Sequence, residues 1–186
     1  MFTKYWSKLI NRISLWGKIT HLYRIRQAKK IIKKLRIIAQ QPGGPGKVMV
    51  YLRKINPYVF EELILSVIED SNIRIIRNTR YSGDGGVDGI FKLKKGKVLI
   101  QCKRYSHYIS HQDVTRLCTS VRDDKYYMGI FVHTGKTGGK SKEVSKEENN
   151  ILFISGSTLI DLVLGKINIA KYIENRSHFF NSSNGR

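Results

Sequence analysis

Acidic residues are missing from the first third of this chain; the first is Glu61. Residues 1–60 carry 14 Lys and Arg and no Asp or Glu, whereas residues 61–186 carry 20 against 14. Most of the formal +20 charge therefore lies before residue 61. Such a segment suits a polyanion, either nucleic acid or an anionic membrane surface. Phosphate neutralisation gives affinity that ignores sequence and weakens with salt. Cysteine is scarce too: Cys102 and Cys118 make neither a disulfide framework nor a zinc site. Both fall on apolar faces and read as core residues of a reducing compartment, here the cytoplasm. No charge-free run approaches the ~18 residues of a transmembrane helix. Lys8 and Arg12 break the apolar N-terminal stretch, so a signal-peptide pattern is lacking. Few serines and an excess of Lys over Arg weigh against an organelle transit peptide. No repeat or low-complexity tract is visible.

What is present suits a folded α/β unit. Apolar residues make up 41% of the chain, enough for a core. Residues 2–39 read as one or two amphipathic helices. Phe2, Trp6, Leu9, Ile13 and Trp16 form one stripe at helical spacing, and Ile31, Ile32, Leu35 and Ile38 another, with Gly17 a candidate break. Pro42 to Gly46 stop a helix and mark a boundary. That divides the chain into a basic helical extension (1–41), a linker (42–55), a catalytic-type domain (56–165) and a tail (166–186), polar and frayed from 178. Within the domain, Asn56-Pro57 cap a helix whose apolar face is Phe60, Leu63, Ile64, Val67 and Ile68. Strands are expected near 73–77, 87–93, 97–103, 127–132 and 151–154, and helices near 111–122, 140–148 and 157–164.

The chemistry concentrates between Gly83 and Tyr105. GDGGVDG places Asp88 at the start of one apolar run, and VLIQCKRY places Gln101 and Lys103 two residues apart in the next. Residues two apart in a strand share a face, so Gln101 and Lys103 project together while Ile100 and Cys102 turn away. A carboxylate, a second oxygen donor and a lysine at one point are what metal-assisted phosphodiester hydrolysis needs. Mg²⁺ takes oxygen ligands and needs only one or two carboxylates besides substrate phosphate. Gln101 is neutral, so further negative charge has to come from elsewhere. At ~100° per residue, Glu61 borders the apolar face of its helix and can face the sheet, whereas Glu62 points nearly opposite and is expected in solvent.

Taken singly, each residue has a plainer account. Asp beside Gly is common in turns, a role that fits Asp84 better than Asp88. Gln101 can be an exposed strand residue and Lys103 a snorkelling one. Together, a polar pair interrupting an apolar strand favours a site. Arg104 suits a DNA phosphate or an exposed strand end. Lys136 and Lys140 flank a Gly-rich segment, GKTGGKS, whose first and third glycines enclose three residues instead of the four of a nucleotide loop. A basic loop touching DNA phosphates is the remaining reading. His107 and His111 are four apart but straddle a helix start, and read as surface or DNA-facing histidines.

NPYVFEELI, GDGGVDG, QCKRY, GIFVHTG and LFISGSTLIDLV, in that order, resemble the Mrr-like branch of the PD-(D/E)xK nucleases over residues 56–165. Residues 1–50 fall outside the resemblance. It implies a restriction-endonuclease-like α/β core with a central mixed sheet flanked by helices. It also implies a Mg²⁺-dependent DNA endonuclease, with Mn²⁺ able to substitute, in a restriction or DNA-processing role. Asp88 matches the metal-binding aspartate, Glu61 the helix glutamate that completes the metal site, and Lys103 the lysine that orients or activates water. Gln101 stands where most of the superfamily has Asp or Glu, a replacement usual in this branch. His133 stands where a threonine is expected. The partner implied is DNA, and a homodimer would supply the two sites a double-strand cut needs. Residues 1–41 are too short for a winged helix, which argues against a separate sequence-reading domain. A DNA-binding protein without cleavage, and tethering of the basic helix to an anionic membrane with Trp6 and Trp16 at the interface, are the alternatives.

Overall fold

The computed structural model describes residues 2–78, 86–148 and 150–182, with side chains over 20–78, 86–146 and 150–176. Asp84 and the glycines beside it lie outside the described residues, as do the side chains of Trp6 and Trp16. The helices are α1 (Phe2–Ala39), α2 (Gly44–Leu52), α3 (Pro57–Glu69), α4 (His111–Asp123), α5 (Gly139–Glu148), α6 (Gly156–Val163) and α7 (Ile169–Ser182). The strands are β1 (Ile75–Arg77), β2 (Gly89–Leu93), β3 (Gly96–Lys103), β4 (Met128–His133) and β5 (Ile151–Ile154). The fold is α/β, with one mixed five-stranded sheet in the order β1-β2-β3-β4-β5. β1, β2 and β3 are antiparallel, whereas β3, β4 and β5 are parallel and joined by helical crossovers.

Strand alternation divides the core in two. Val98, Ile100 and Cys102 of β3 face a large cluster with Ile130 and Val132, covered by α3 and α6. Leu99 and Phe131 face a smaller cluster with Val114, Leu117, Cys118 and Val121 of α4. Both cysteines are buried and free. Five consecutive buried residues in β3 are what a strand covered on both faces requires. In α3, Pro57 fixes the first turn and the Asn56 side chain accepts the Tyr58 N–H at 3.0 Å, closing one open donor at the helix start.

Three expectations from sequence change here. The stretch 42–55 is not a plain linker: Pro45 sits in the first turn of α2, whose Val48 and Leu52 are fully buried. Pro is compatible with a first helical turn, where its missing N–H has no partner to lose. The helix over 2–39 is single and runs through Gly17. From Ala28 onward it is no appendage, because Ala28, Ile32 and Leu35 join the main cluster and α1 packs along α3. Nor are residues 166–182 a loose tail, since α7 seats Ile169 and Ile173 in that cluster. Among the described residues no helix is long and apolar enough to cross a membrane.

Candidate active site

The site forms where β2 and β3 meet the first turns of α3. Asp88 precedes β2 and is held from both sides. Its N–H donates to the Ile100 carbonyl at 2.9 Å, and its carbonyl accepts the Asn78 N–H at 3.0 Å. Its carboxylate accepts the Cys102 N–H at 2.6 Å. A charge-assisted bond to backbone fixes a carboxylate more firmly than side-chain packing alone. Asn78 also donates its side-chain amide to the Val87 carbonyl at 2.9 Å, so the approach to Asp88 is stitched to the end of β1.

Glu61, Asp88 and Lys103 line one cavity of about 320 Å³, with Tyr58, Asn78 and Gly86 among its walls. Gln101 lies against it, 2% exposed. Gly86 explains the close fit: a Cβ there would collide with the Gln101 amide nitrogen and come 3.9 Å from Lys103 Nζ. Its φ of +84° is also one that side-chain-bearing residues rarely adopt. The Gln101 Oε1 is buried and, among the described residues, has no hydrogen-bond partner. A buried amide oxygen left unpaired is costly. An amide oxygen is, with carboxylates, a donor that a hard divalent cation takes.

The electrostatics separate the carboxylates. Burial pushes the Glu61 carboxyl up to about 7; Lys103 pulls it back, Glu62 pushes it further and Arg24 opposes that. Cys102 turns into the opposite cluster, and burial first, then Asp88, Glu61 and Glu62, drives its thiol well up. It is no nucleophile.

Glu62, expected in solvent, is 3% exposed. The helical angle was right for a helix with one covered face, but α1 covers the other. There Glu62 Oε1 lies 2.8 Å from His21 Nδ1, and Glu62 Oε2 accepts from Arg77 Nε at 3.1 Å. Arg77 in turn grips Glu69 through two bonds of 2.6 and 2.7 Å. Burial raises Glu62, against the pull of His21 and Arg77. Arg24 lies over the Tyr58 ring, 4.5 Å from its centroid. His21, Arg24 and Asn78 were not legible as site neighbours, because nothing local in the sequence links α1 to the start of α3.

Other expected contacts fall elsewhere. Arg104 is turned inward, donating to the Arg53 carbonyl, so it ties β3 to the end of α2 and does not reach outward for phosphate. Lys136 and Lys140 are exposed and outside the cavity. The Lys136 backbone instead pairs with His107 and Ile109. His107 and His111 are exposed. His133 pairs in register with Lys103 but is fully buried between Phe131 and Phe153. Its Nε2 meets Thr137 Oγ1 at 3.2 Å, and burial lowers the ring to about 4, so it is neutral. Among the described residues no three His, Cys, Asp or Glu side chains cluster as a metal cage.

A mixed sheet with a carboxylate heading β2 and an amide–lysine pair closing β3, under a helix glutamate, defines a restriction-endonuclease-like protein. The restriction endonuclease family model Mrr_cat matches residues 52–163, more than half of the chain, and the chain belongs to that family of DNA nucleases. A curated relative is the Type IV methyl-directed restriction enzyme EcoKMrr of Escherichia coli (strain K12), 22% identical over an alignment of 125 residues that covers 63% of this chain and 41% of that protein. Similar solved structures include the MspJI restriction endonuclease in complex with a 27-mer oligonucleotide (TM-score 0.41, 18% identity, 86% of this chain and 36% of that one). Another is the DNA modification-dependent restriction endonuclease AspBHI (TM-score 0.46, 14% identity, 78% and 42%). The chain spans less than half the length of each.

Proposed function

We propose that this chain is a Mg²⁺-dependent DNA endonuclease, with Mn²⁺ able to substitute, and that Asp88, Glu61, Gln101 and Lys103 form its catalytic site. The observation that carries the reading is the convergence of Glu61, Asp88 and Lys103 on one cavity whose Gly86 wall packs against Gln101. Asp88, Glu61 and the Gln101 oxygen would hold the cation. When bound, it supplies an activated water and neutralises charge on the attacked phosphate.

The chain's own groups do the rest. The Cys102 N–H holds one Asp88 oxygen and so orients the other. Glu61, already drawn down by Lys103, would supplement the charge of Asp88 and would give up its proton more readily with a cation bound. Lys103 donates to the attacking oxygen or to the phosphate and stabilises the charge that develops there.

Supercoiled plasmid incubated with Mg²⁺ is expected to be nicked or linearised, and EDTA abolishes this. Lys103→Ala and Asp88→Ala are each expected to slow cutting by at least ~10³-fold, since one lost transition-state donor alone costs about 10²–10³. Cutting that survives Asp88→Ala would overturn the site assignment. Tight binding without cutting of plain, methylated or branched DNA would leave a DNA-binding protein on a nuclease fold.

A further inference from the structure

Over residues 20–39, α1 has two unlike faces. His21, Arg24, Ala28, Ile32 and Leu35 turn inward: the first two reach Glu62 and Tyr58, and the last three are buried in the core. Arg26, Lys29, Lys30 and Lys33 are exposed on the opposite side. At 3.6 residues per turn these four fall within an arc of about 100°, and a rise of 1.5 Å per residue spreads them over ~10 Å. No carboxylate belongs to α1. Among the described residues Arg26, Lys30 and Lys33 have no acidic partner, whereas neighbouring Arg36 lies 4.0 Å from Asp70. A face kept only for solubility mixes both signs; this one does not.

The same arrangement argues against a membrane. A helix lying in a bilayer interface buries its apolar face in the lipid, but the apolar face of α1 here already packs on α3. Outward, the cations stand between exposed Leu22 and Tyr23 at one end and Ile37 at the other, which are too far apart along the helix to make one continuous apolar face. The spacing of the cations suits a ligand with closely repeated negative charge, and duplex DNA carries one per ~1.7 Å of axis. His21 and Arg24, on the inward face one turn earlier, touch residues of the cavity wall, so the helix that carries the stripe runs beside the cavity.

We propose that Arg26, Lys29, Lys30 and Lys33 form a second nucleic-acid contact, gripping the sugar–phosphate backbone away from the cleaved position. The inference takes its ligand from the nuclease reading but is tested by binding alone. Full-length protein is titrated in EDTA against a fluorescent DNA duplex at several salt concentrations. A variant with all four residues changed to Gln, a good helix former, is compared with a control in which exposed Lys92, Lys94, Lys95 and Lys97 are changed to Gln. The α1 variant is expected to bind at least about tenfold more weakly and to flatten the salt dependence by about 2–4, because each phosphate contact contributes ~0.9 to that slope. The control keeps the wild-type slope.

Equal losses in both variants would reduce the effect to net charge and overturn the proposal. So would an α1 variant that binds DNA like wild type. Loss of co-sedimentation with vesicles of equimolar phosphatidylcholine and phosphatidylserine, with DNA binding unchanged, would overturn it in favour of a membrane surface. Failure of the nuclease reading looks different: no cleavage by wild type, with stripe-dependent binding intact.

Discussion

Glu61 and Glu62 are adjacent on α3 and both border the cavity, yet the fold answers their charges differently. Glu61 borders an open cavity, is desolvated, and has Lys103 and Arg24 as its cationic neighbours. Glu62 lies between α1 and β1, with a histidine on one oxygen and an arginine on the other. A carboxylate with both oxygens engaged belongs to the framework. One that is desolvated and incompletely matched is poised to take a ligand. Side by side, the pair shows that burial alone does not mark a functional acid; what counts is how much of its charge the fold already answers.

The sharpest way to break that contrast is Glu62→Ala. It strands His21 and the Arg77 Nε in a buried position, and a loss of about 3 kcal/mol is expected, read from denaturant midpoints. A negligible loss would mean that the network does not hold α1 to the sheet.

His133 offers a third surrounding: buried, with no charged partner. Its ordinary value is 6.5 and its folded value about 4. Below 6.5 the unfolded chain takes up the proton while the folded ring stays neutral, so stability falls with falling pH. This group costs up to ~3 kcal/mol by pH 4. His133→Phe, which keeps the aromatic packing, should remove that part of the acid sensitivity in thermal melts between pH 7 and 4.

A smaller effect is expected for Gly86→Ala. The positive φ and the encounter with Gln101 together cost about 1–2 kcal/mol. The displaced Gln101 should also lower cutting more than stability alone would.

The smallest change sharpens the comparison from the other side. The Glu61 proton is bound more tightly in the folded chain, so its carboxylate destabilises the fold once pH rises past 4.5 and fully above 7. Glu61→Gln should therefore gain about 1 kcal/mol at pH 8, vanishing below pH 4.5, while plasmid cutting is lost. A gain in stability with a loss of activity is what a site residue gives.

Much of the fold was legible. Period-two and period-3.6 patterns located all five strands and the helices α3 to α6, because each buries a face within its own short window. That Gln101 and Lys103 share a face of β3 was readable for the same reason: strand alternation is local. What was missed depends on distant segments. Glu62 looked solvated because nothing near it in sequence says that a helix some forty residues earlier covers it. α2 hid inside a Pro/Gly-rich stretch since its burial comes from α6 and α1, and α7 looked like a polar tail because, among its described side chains, only Ile169 and Ile173 are buried. The inward bond of Arg104 was not legible because the Arg53 carbonyl that accepts it lies far back in the chain.

Strand order also bears on how the sheet can be built. Each strand lies beside its predecessor in the chain, so none must be threaded between two already paired. During synthesis the sheet can grow at one edge as residues emerge from the ribosome, β1 to β5 in turn, with each crossover helix arriving in time to cover the newest strand. The hairpin of β2 and β3, which holds Asp88, Gln101 and Lys103, is then made early and locally, before the parallel half exists to support it.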